Sequence, residues 1–455
     1  MRSTPGFHYC DGKLTCDGVP AVEIAERFGT PCYVYSAGLL RERYGRIRDA
    51  FAARDALVCF SVKSLGNLSV LRLLAQCGSG FDVVSGGELF RVIEAGGEPG
   101  RTVYAGVGKT AAEIEFALGA GVRMFNVESP AELRCINDVA RRIGRQATVA
   151  VRVNPDVDAK THEKTTTGKK ENKFGIGLSG TRELAAEAAR MTGVALRGLH
   201  VHLGSPIYSA DPYRHALEKL TTLVGELRSQ GCRIDTINIG GGYCISYTGE
   251  PVIEPADYAA ALKDSLEKLD CSLIIEPGRY ISGPSGMLLV RVVYRKESEH
   301  GKRFVICDGA MNDLVRPTLY GSFHRIWPAV SDHGMPPVVK PEDRHYGGIQ
   351  TQVVDVVGPV CESGDFFAKD RPLPAMEAGD VLAVFDAGAY GSTMSSNYNA
   401  RPRGAEVMAD AGEATLARRR ESYEDLVAAE KDLQESTQRR KRAQKMTSGR
   451  PKAGR

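Results

Sequence analysis

The chain has 455 residues, 42% hydrophobic and 25% charged, so it is long enough for two domains with a substantial core and needs no disulfide or metal staples. No stretch approaches the roughly 18 apolar residues of a membrane span, no signal peptide opens the chain, and the 11 scattered cysteines, none spaced C-x-x-C, point to a reducing cytoplasm. The net charge of +3 comes from eight Lys/Arg without an acid between Arg439 and Arg455, which leaves 51 basic against 56 acidic residues before them, a mildly acidic folded part.

In chain order, residues 7–18 read as a hairpin turning at Asp11-Gly12 and joining a β-domain formed later in the chain. Short apolar, β-branched runs then alternate with longer stretches of helical period: Leu57–Lys63, Phe81–Ser85, Thr102–Gly106, Arg123–Val127, Thr148–Asn154, Leu196–Gly204, Thr236–Gly240 and Ser272–Glu276. Eight such units predict a (β/α)8 barrel of the TIM type. Among the helices between them, Ala131–Ile143 follows Ser129-Pro130, with Glu132 placed for a capping box, and Tyr213–Leu227 keeps its leucines on one face. The polar stretch Pro155–Gly180, with five lysines, is long for a connection and is expected to be functional or mobile.

After Pro284 the pattern changes to strands without intervening helices, at Met287–Tyr294, Arg303–Cys307, Gln350–Val357 and Val381–Phe385. The expected division is a barrel over 34–284, a β-domain of 1–33 with 285–432, and a basic flexible tail over 433–455. The run Arg439-Arg440-Lys441-Arg442 has no aromatic residue to stack on bases, so nucleic acid is not expected as a partner.

Polar residues at the carboxyl ends of barrel strands are candidates for chemistry. Lys63 closes the first run. Alone it reads as a lysine snorkelling to solvent or as a Schiff-base lysine in a desolvating site. Gly240-Gly241-Gly242 is either a tight turn or a phosphate cradle of backbone N–H groups. Glu276, in Glu276-Pro277-Gly278-Arg279, is either half of a structural salt bridge or a carboxylate that keeps a pyridine nitrogen protonated. His202 is a satisfied core histidine or a ring stacked on a flat cofactor. A metal between His200 and His202 is set aside, on the expectation that strand alternation sends them to opposite faces. Cys361-Glu362 and Tyr390 lie in Gly-rich loops, where binding residues concentrate, although a lone cysteine is as readily a small buried hydrophobe.

The segments FSVKSL at Lys63, ENKFGI at Glu171, HLGS at His202, GGGY at Gly240, EPGRY at Glu276, MNDLVRPTLYG from Met311, CESGDF at Cys361 and DAGAYGSTMSSNYN from Asp386 together resemble the diaminopimelate decarboxylases, over roughly residues 5–430. These belong to the pyridoxal-phosphate enzymes that include alanine racemase and eukaryotic ornithine decarboxylase. The resemblance implies a homodimer with two shared sites, pyridoxal 5'-phosphate as cofactor and meso-diaminopimelate as substrate. It implies Lys63 as the imine lysine, His202 stacked on the ring and Glu276 at the ring nitrogen. Ser205, Gly240, Gly241, Gly242, Gly278, Arg279 and Tyr390 would surround the phosphate. Arg279, Arg316, Tyr320, Glu362 and Tyr390 would grip the substrate, and Cys361 of the partner subunit would donate the proton. The racemases of the group have an arginine at the ring nitrogen, whereas the carboxylate of Glu276 suits decarboxylation. Arg316 and Glu362 would take the second amino-acid end of the substrate, which ornithine lacks. Pro206 after HLGS and the basic extension after about Leu433 depart from the family pattern.

Overall fold

The computed structural model describes residues 6–157, 173–335 and 348–431. The basic run at 439–442, the expected tail over 433–455, the start of ENKFGI and most of the lysine-rich connection lie outside them.

All eight expected barrel strands form, as β1 Ala56–Ser61, β2 Gly80–Val83, β3 Thr102–Tyr104, β4 Met124–Val127, β5 Ala147–Asn154, β6 Val194–His200, β7 Thr236–Asn238 and β8 Ser272–Ile275. Each pairs in parallel with the next, and β8 pairs with β1, so the sheet closes. The strands are mostly apolar because both faces are covered, with polar residues such as Asp82, Asn126 and Asn238 at or near their carboxyl ends. Leu57, Cys59, Val103, Met124, Ala150 and Ile274 pack inside the barrel as their own cluster, and the alternate residues pack outward against helices. Six of the eight strands end earlier than their apolar runs predict, all but β4 and β5: Lys63 sits in a 3-10 turn, Val62–Ser64, and His202 and Gly240 lie past the ends of β6 and β7. Chemistry is thereby carried on the turns at the barrel mouth rather than on the strands.

Helices Pro130–Arg142 and Asp211–Ser229 match their expected positions to within about two residues. The capping box at Ser129 is half formed: Ser129 Oγ accepts from Glu132 N at 3.2 Å, but the Glu132 carboxylate turns instead to Glu128 N and to the buried Lys109. A complete box occurs at Thr110 and Glu113, at the start of helix Ala111–Ala120. The helix after β8, Arg279–Ser282, has only four residues, and the long helix Ala37–Ala50 fills the ring there, between Pro255–Leu269 and Leu68–Gln76. Within the expected connection 155–180, Ile176–Gly177 adds an edge strand to β5 and helix Leu178–Ala188 begins.

The β-domain is a sheet in the order 366–373, 352–357, 303–307, 286–297, 32–36, 405–410 and 413–418, with strands 381–384 and 326–328 branching from 286–297. Strand Cys32–Ser36 lies across the expected division at residue 34 and is central here, between Gly286–Glu297 and Ala405–Asp410. The hairpin Phe7–Cys10/Lys13–Cys16 turns at Asp11-Gly12 as expected, and Leu14 N donates to Ala329 O at 2.8 Å, which joins it to this domain. The domain is not purely β: a five-residue helix, Arg316–Tyr320, interrupts it, and residues 423–431 are helical. No helix among the described residues is long and apolar enough to cross a membrane.

Candidate active site

At the barrel mouth Lys63 Nζ donates to Asp82 Oδ2 at 2.9 Å. Asp82, at the end of β2, is wholly buried and also accepts from Ser61 Oγ at 2.8 Å, while its Oδ1 has no partner in the protein. Burial works against the Lys63 ammonium, but the charge of Asp82, with Tyr390 and Glu276, outweighs it and holds the amine above its ordinary value.

Glu276 lies past the end of β8, 4% exposed. Its Oε1 accepts from Asn238 Nδ2 at 2.6 Å and Asn126 Nδ2 at 3.1 Å, and its Oε2 is 3.4 Å from His200 Nε2. Burial alone would push this carboxyl up. His200, Lys63 and the Asn238 amide reverse that and hold it below the usual carboxylate range, so Glu276 is an anion at neutral pH. His200 and His202, two residues apart, belong on the same face of a strand and not on opposite ones, and both reach the site. His202 accepts from Gly241 N through Nδ1 at 3.2 Å, and burial, with Arg152 and Lys63 nearby, pushes its basicity well down, so its ring is neutral. Among the described residues no group of three His, Cys, Asp or Glu is placed to hold a metal ion.

The glycine run packs too closely for side chains. A Cβ on Gly241 would stand 2.2 Å from Glu276 O, and Gly242 takes φ 109° with Gly204 O 2.8 Å from where its Cβ would be. Gly240 N donates to Asn238 Oδ1 at 2.9 Å, which ties the loop to the same asparagine that holds Glu276. Gly278 precedes the short helix bearing Arg279 and has Ser61 and Ser64 packed 3.1 Å from its Cβ position.

A cavity of about 470 Å³ opens beside this loop, lined by His202, Ser205, Arg279, Arg316, Tyr320 and Tyr390, together with Pro206, Tyr208, Tyr247 and Glu250. Arg279 Nε donates to Ser205 Oγ at 3.3 Å, and its guanidinium lies 5.1 Å from the Tyr390 ring centre. Tyr390 has a left-handed backbone, φ 57°, a conformation costing about 1–3 kcal/mol in a non-glycine residue. The Tyr390 N–H bond to Ser64 O, 2.8 Å, fixes it beside the Lys63 turn. Pro206, which departs from the family pattern, follows a cis peptide after Ser205. Lys63 lines a second cavity of about 430 Å³ with Glu88, Arg91 and Arg403.

Cys361 and Glu362 are not brought to either cavity. Both are exposed, and Glu362 Oε1 accepts from Tyr398 Oη at 3.0 Å. Sequence reading passed over Asp82, Asn126, Asn238, Tyr247 and His324, all of which touch a singled-out residue. Asp82, Asn126 and Asn238 are polar residues inside or at the end of apolar strands, a signal that was available.

A buried arginine, a serine hydroxyl and a glycine loop suit a phosphate; a buried anion suits a protonated ring nitrogen; and the Lys63 amine stands on the turn that the Tyr390 N–H binds. That donor set fits pyridoxal phosphate. The family model described as "Pyridoxal-dependent decarboxylase, pyridoxal binding domain" matches residues 37–283. The diaminopimelate decarboxylase of Neisseria meningitidis serogroup B is 46% identical over 417 residues, 92% of this chain and 97% of the relative. That of Aquifex aeolicus is 43% identical over 431 residues, 94% and 98% of the two chains. This chain belongs to the diaminopimelate decarboxylase family. Within that family, the structure of the Helicobacter pylori diaminopimelate decarboxylase complexed with L-lysine superimposes with a TM-score of 0.83 at 38% identity, covering 90% of this chain and 99% of that one.

Proposed function

We propose that the protein decarboxylates meso-2,6-diaminopimelate to L-lysine and carbon dioxide, the last step of lysine formation, in the cytoplasm and as a homodimer. The observation that carries this reading is a single cavity lined by two buried guanidinium groups, Arg279 and Arg316, in a chain that also keeps a separate buried carboxylate, Glu276, ionised. These cations match a substrate that keeps a carboxylate on its non-reacting end. An anion at the ring position matches electron withdrawal, where an arginine would not.

When bound, pyridoxal phosphate supplies a protonated pyridine ring that draws electrons from the carbon losing its carboxylate. Lys63 would hold it through its amine, with Ser205, Gly240 to Gly242, Gly278, Arg279 and Tyr390 around its phosphate. His202, neutral and fixed by Gly241 N, offers a flat ring to stack on without adding charge. Glu276 keeps a proton on the ring nitrogen, and Asn126 and Asn238 hold Glu276 in place. Arg279, Arg316, Tyr320 and Tyr390 would grip the substrate end that does not react. Burial of Glu276, Arg279 and Arg316 keeps water from them and strengthens their charge contacts.

Cys361 of the partner subunit delivers the proton that replaces carbon dioxide, and Glu362 of the partner subunit receives the distal ammonium. Their exposure on a protomer whose own cavities they do not line supports a site completed by a second copy. Lysine and carbon dioxide release from meso-diaminopimelate, with and without added cofactor, tests the reading. Turnover of ornithine, arginine or carboxynorspermidine in place of meso-diaminopimelate would overturn it.

A further inference from the structure

Arg279 and Arg316 are buried, at 9% and 4% exposure, and among the described residues neither has a carboxylate within salt-bridge distance. Unpaired buried cations are costly, and two side by side repel. Neutral acceptors hold them instead. The Tyr247 hydroxyl accepts from Nη1 of both arginines, each at 3.1 Å. Nη1 of Arg316 also lies 3.1 Å from His324 Nε2.

His324 is wholly buried, and its Nδ1 stands 2.9 Å from Phe385 O, a carbonyl that can only accept. The ring proton is therefore on Nδ1, and Nε2 presents a lone pair to Arg316. Burial and the neighbouring Arg316 push His324 down to about 3, so it stays neutral and able to accept. The ring is clamped further: it meets the Tyr247 ring edge to face at 5.6 Å, and Arg371 Nη1 donates to His324 O at 2.7 Å. The chain Arg279, Tyr247, Arg316, His324 and Phe385 O is thus anchored at a backbone carbonyl, and both arginines line the cavity.

We propose that Tyr247 and His324 are positioning residues that hold Arg279 and Arg316 as one rigid pair of cations, and that this pair selects ligands carrying a carboxylate on the non-reacting end. The proposal rests on the reading above that the substrate is a diamino diacid. Neither residue is assigned to the chemistry; each acts through an arginine.

The test measures calorimetric binding of L-lysine, which keeps that carboxylate, and of cadaverine, which lacks it, to the holoenzyme. Tyr247→Phe and His324→Leu are expected to weaken L-lysine by about tenfold, the loss of one hydrogen bond to a charged group. Cadaverine affinity should change by less than about twofold, because it offers the arginines nothing to grip. His324→Gln, whose amide oxygen can still accept from Arg316, should recover most of the L-lysine affinity. In steady state KM for meso-diaminopimelate should rise with kcat little changed. Equal losses for both ligands, or no loss for either, overturn the proposal. Should His324→Leu fail to fold, Tyr247→Phe carries the test. Wild-type turnover, run in parallel, separates the two readings: no lysine from meso-diaminopimelate sinks the proposed function, while the contrast between the ligands judges the positioning role.

Discussion

Asp82 and Lys63 are in direct charge contact at the barrel mouth, and the pair sets how readily the amine gives up its proton. Asp82→Asn is expected to lower the pKa of Lys63 by about one to three units, the usual effect of an adjacent charge. The pH dependence of Lys63 acetylation, followed by mass spectrometry, reads this directly; an unchanged midpoint would refute it. His324 makes the opposite kind of prediction. Its folded pKa of about 3 lies below the unfolded value of roughly 6.5, so between those limits the unfolded chain binds the extra proton and stability falls as pH falls. The cost reaches on the order of 4 kcal/mol at the acid end. In His324→Gln the loss of stability from pH 6.5 down toward 4, followed by urea denaturation, should be shallower than in the wild type. Lys63, Glu276 and Arg279 were legible in the sequence because each closes or follows an apolar strand. Asn126 was not, because its meaning lies in a contact with Glu276 across 150 residues of chain. Tyr247 and His324 stand in stretches with no period to read and gain a role only where two domains bring two arginines together.

At the scale of elements, the Thr110–Glu113 box does more than start a helix. Glu113 Oε2 accepts from Thr110 N at 3.0 Å, and Oε1 reaches Gly86 N at 2.9 Å, so one carboxylate tethers two successive barrel helices. Thr110→Ala is expected to cost about 1 kcal/mol, the usual value of an N-cap, and a thermal or urea midpoint equal to the wild type would contradict that. The T-x-x-E spacing was as readable as that of Ser129. What could not be read was that Glu132 would be drawn off by Lys109, a buried cation supplied by a different loop. The barrel strands were legible because burial on both faces makes each a largely apolar run. In the β-domain, Phe366–Leu373 carries Lys369, Asp370 and Arg371 in succession and pairs through two register shifts, so its pattern is blurred.

At the scale of the molecule, the proposed function has a Cys361 that is exposed on its own protomer completing the Lys63 site of a second copy. Mixing Lys63→Ala with Cys361→Ala subunits and allowing exchange should restore about a quarter of wild-type activity, because half of the dimers are then mixed and one site in each is intact. Activity that stays at zero after exchange, with dimers confirmed by sedimentation, would mean that Cys361 acts within its own chain or not at all. The fold class was legible from the alternation of runs, but the assignment of strand Cys32–Ser36 was not, since its partners lie at 286–297 and 405–410. That placement has a consequence for biosynthesis. On the ribosome the strand emerges first, and its neighbours trail it by roughly 250 and 370 residues, so at about 5–20 residues per second both its edges stay bare for on the order of ten seconds to a minute. The barrel can close during that interval, while the aromatic, β-branched segment Cys32-Tyr33-Val34-Tyr35 waits as an adhesive end. Nascent chains stalled before residue 405 should therefore be the ones that chaperones hold and that aggregate when chaperones are scarce.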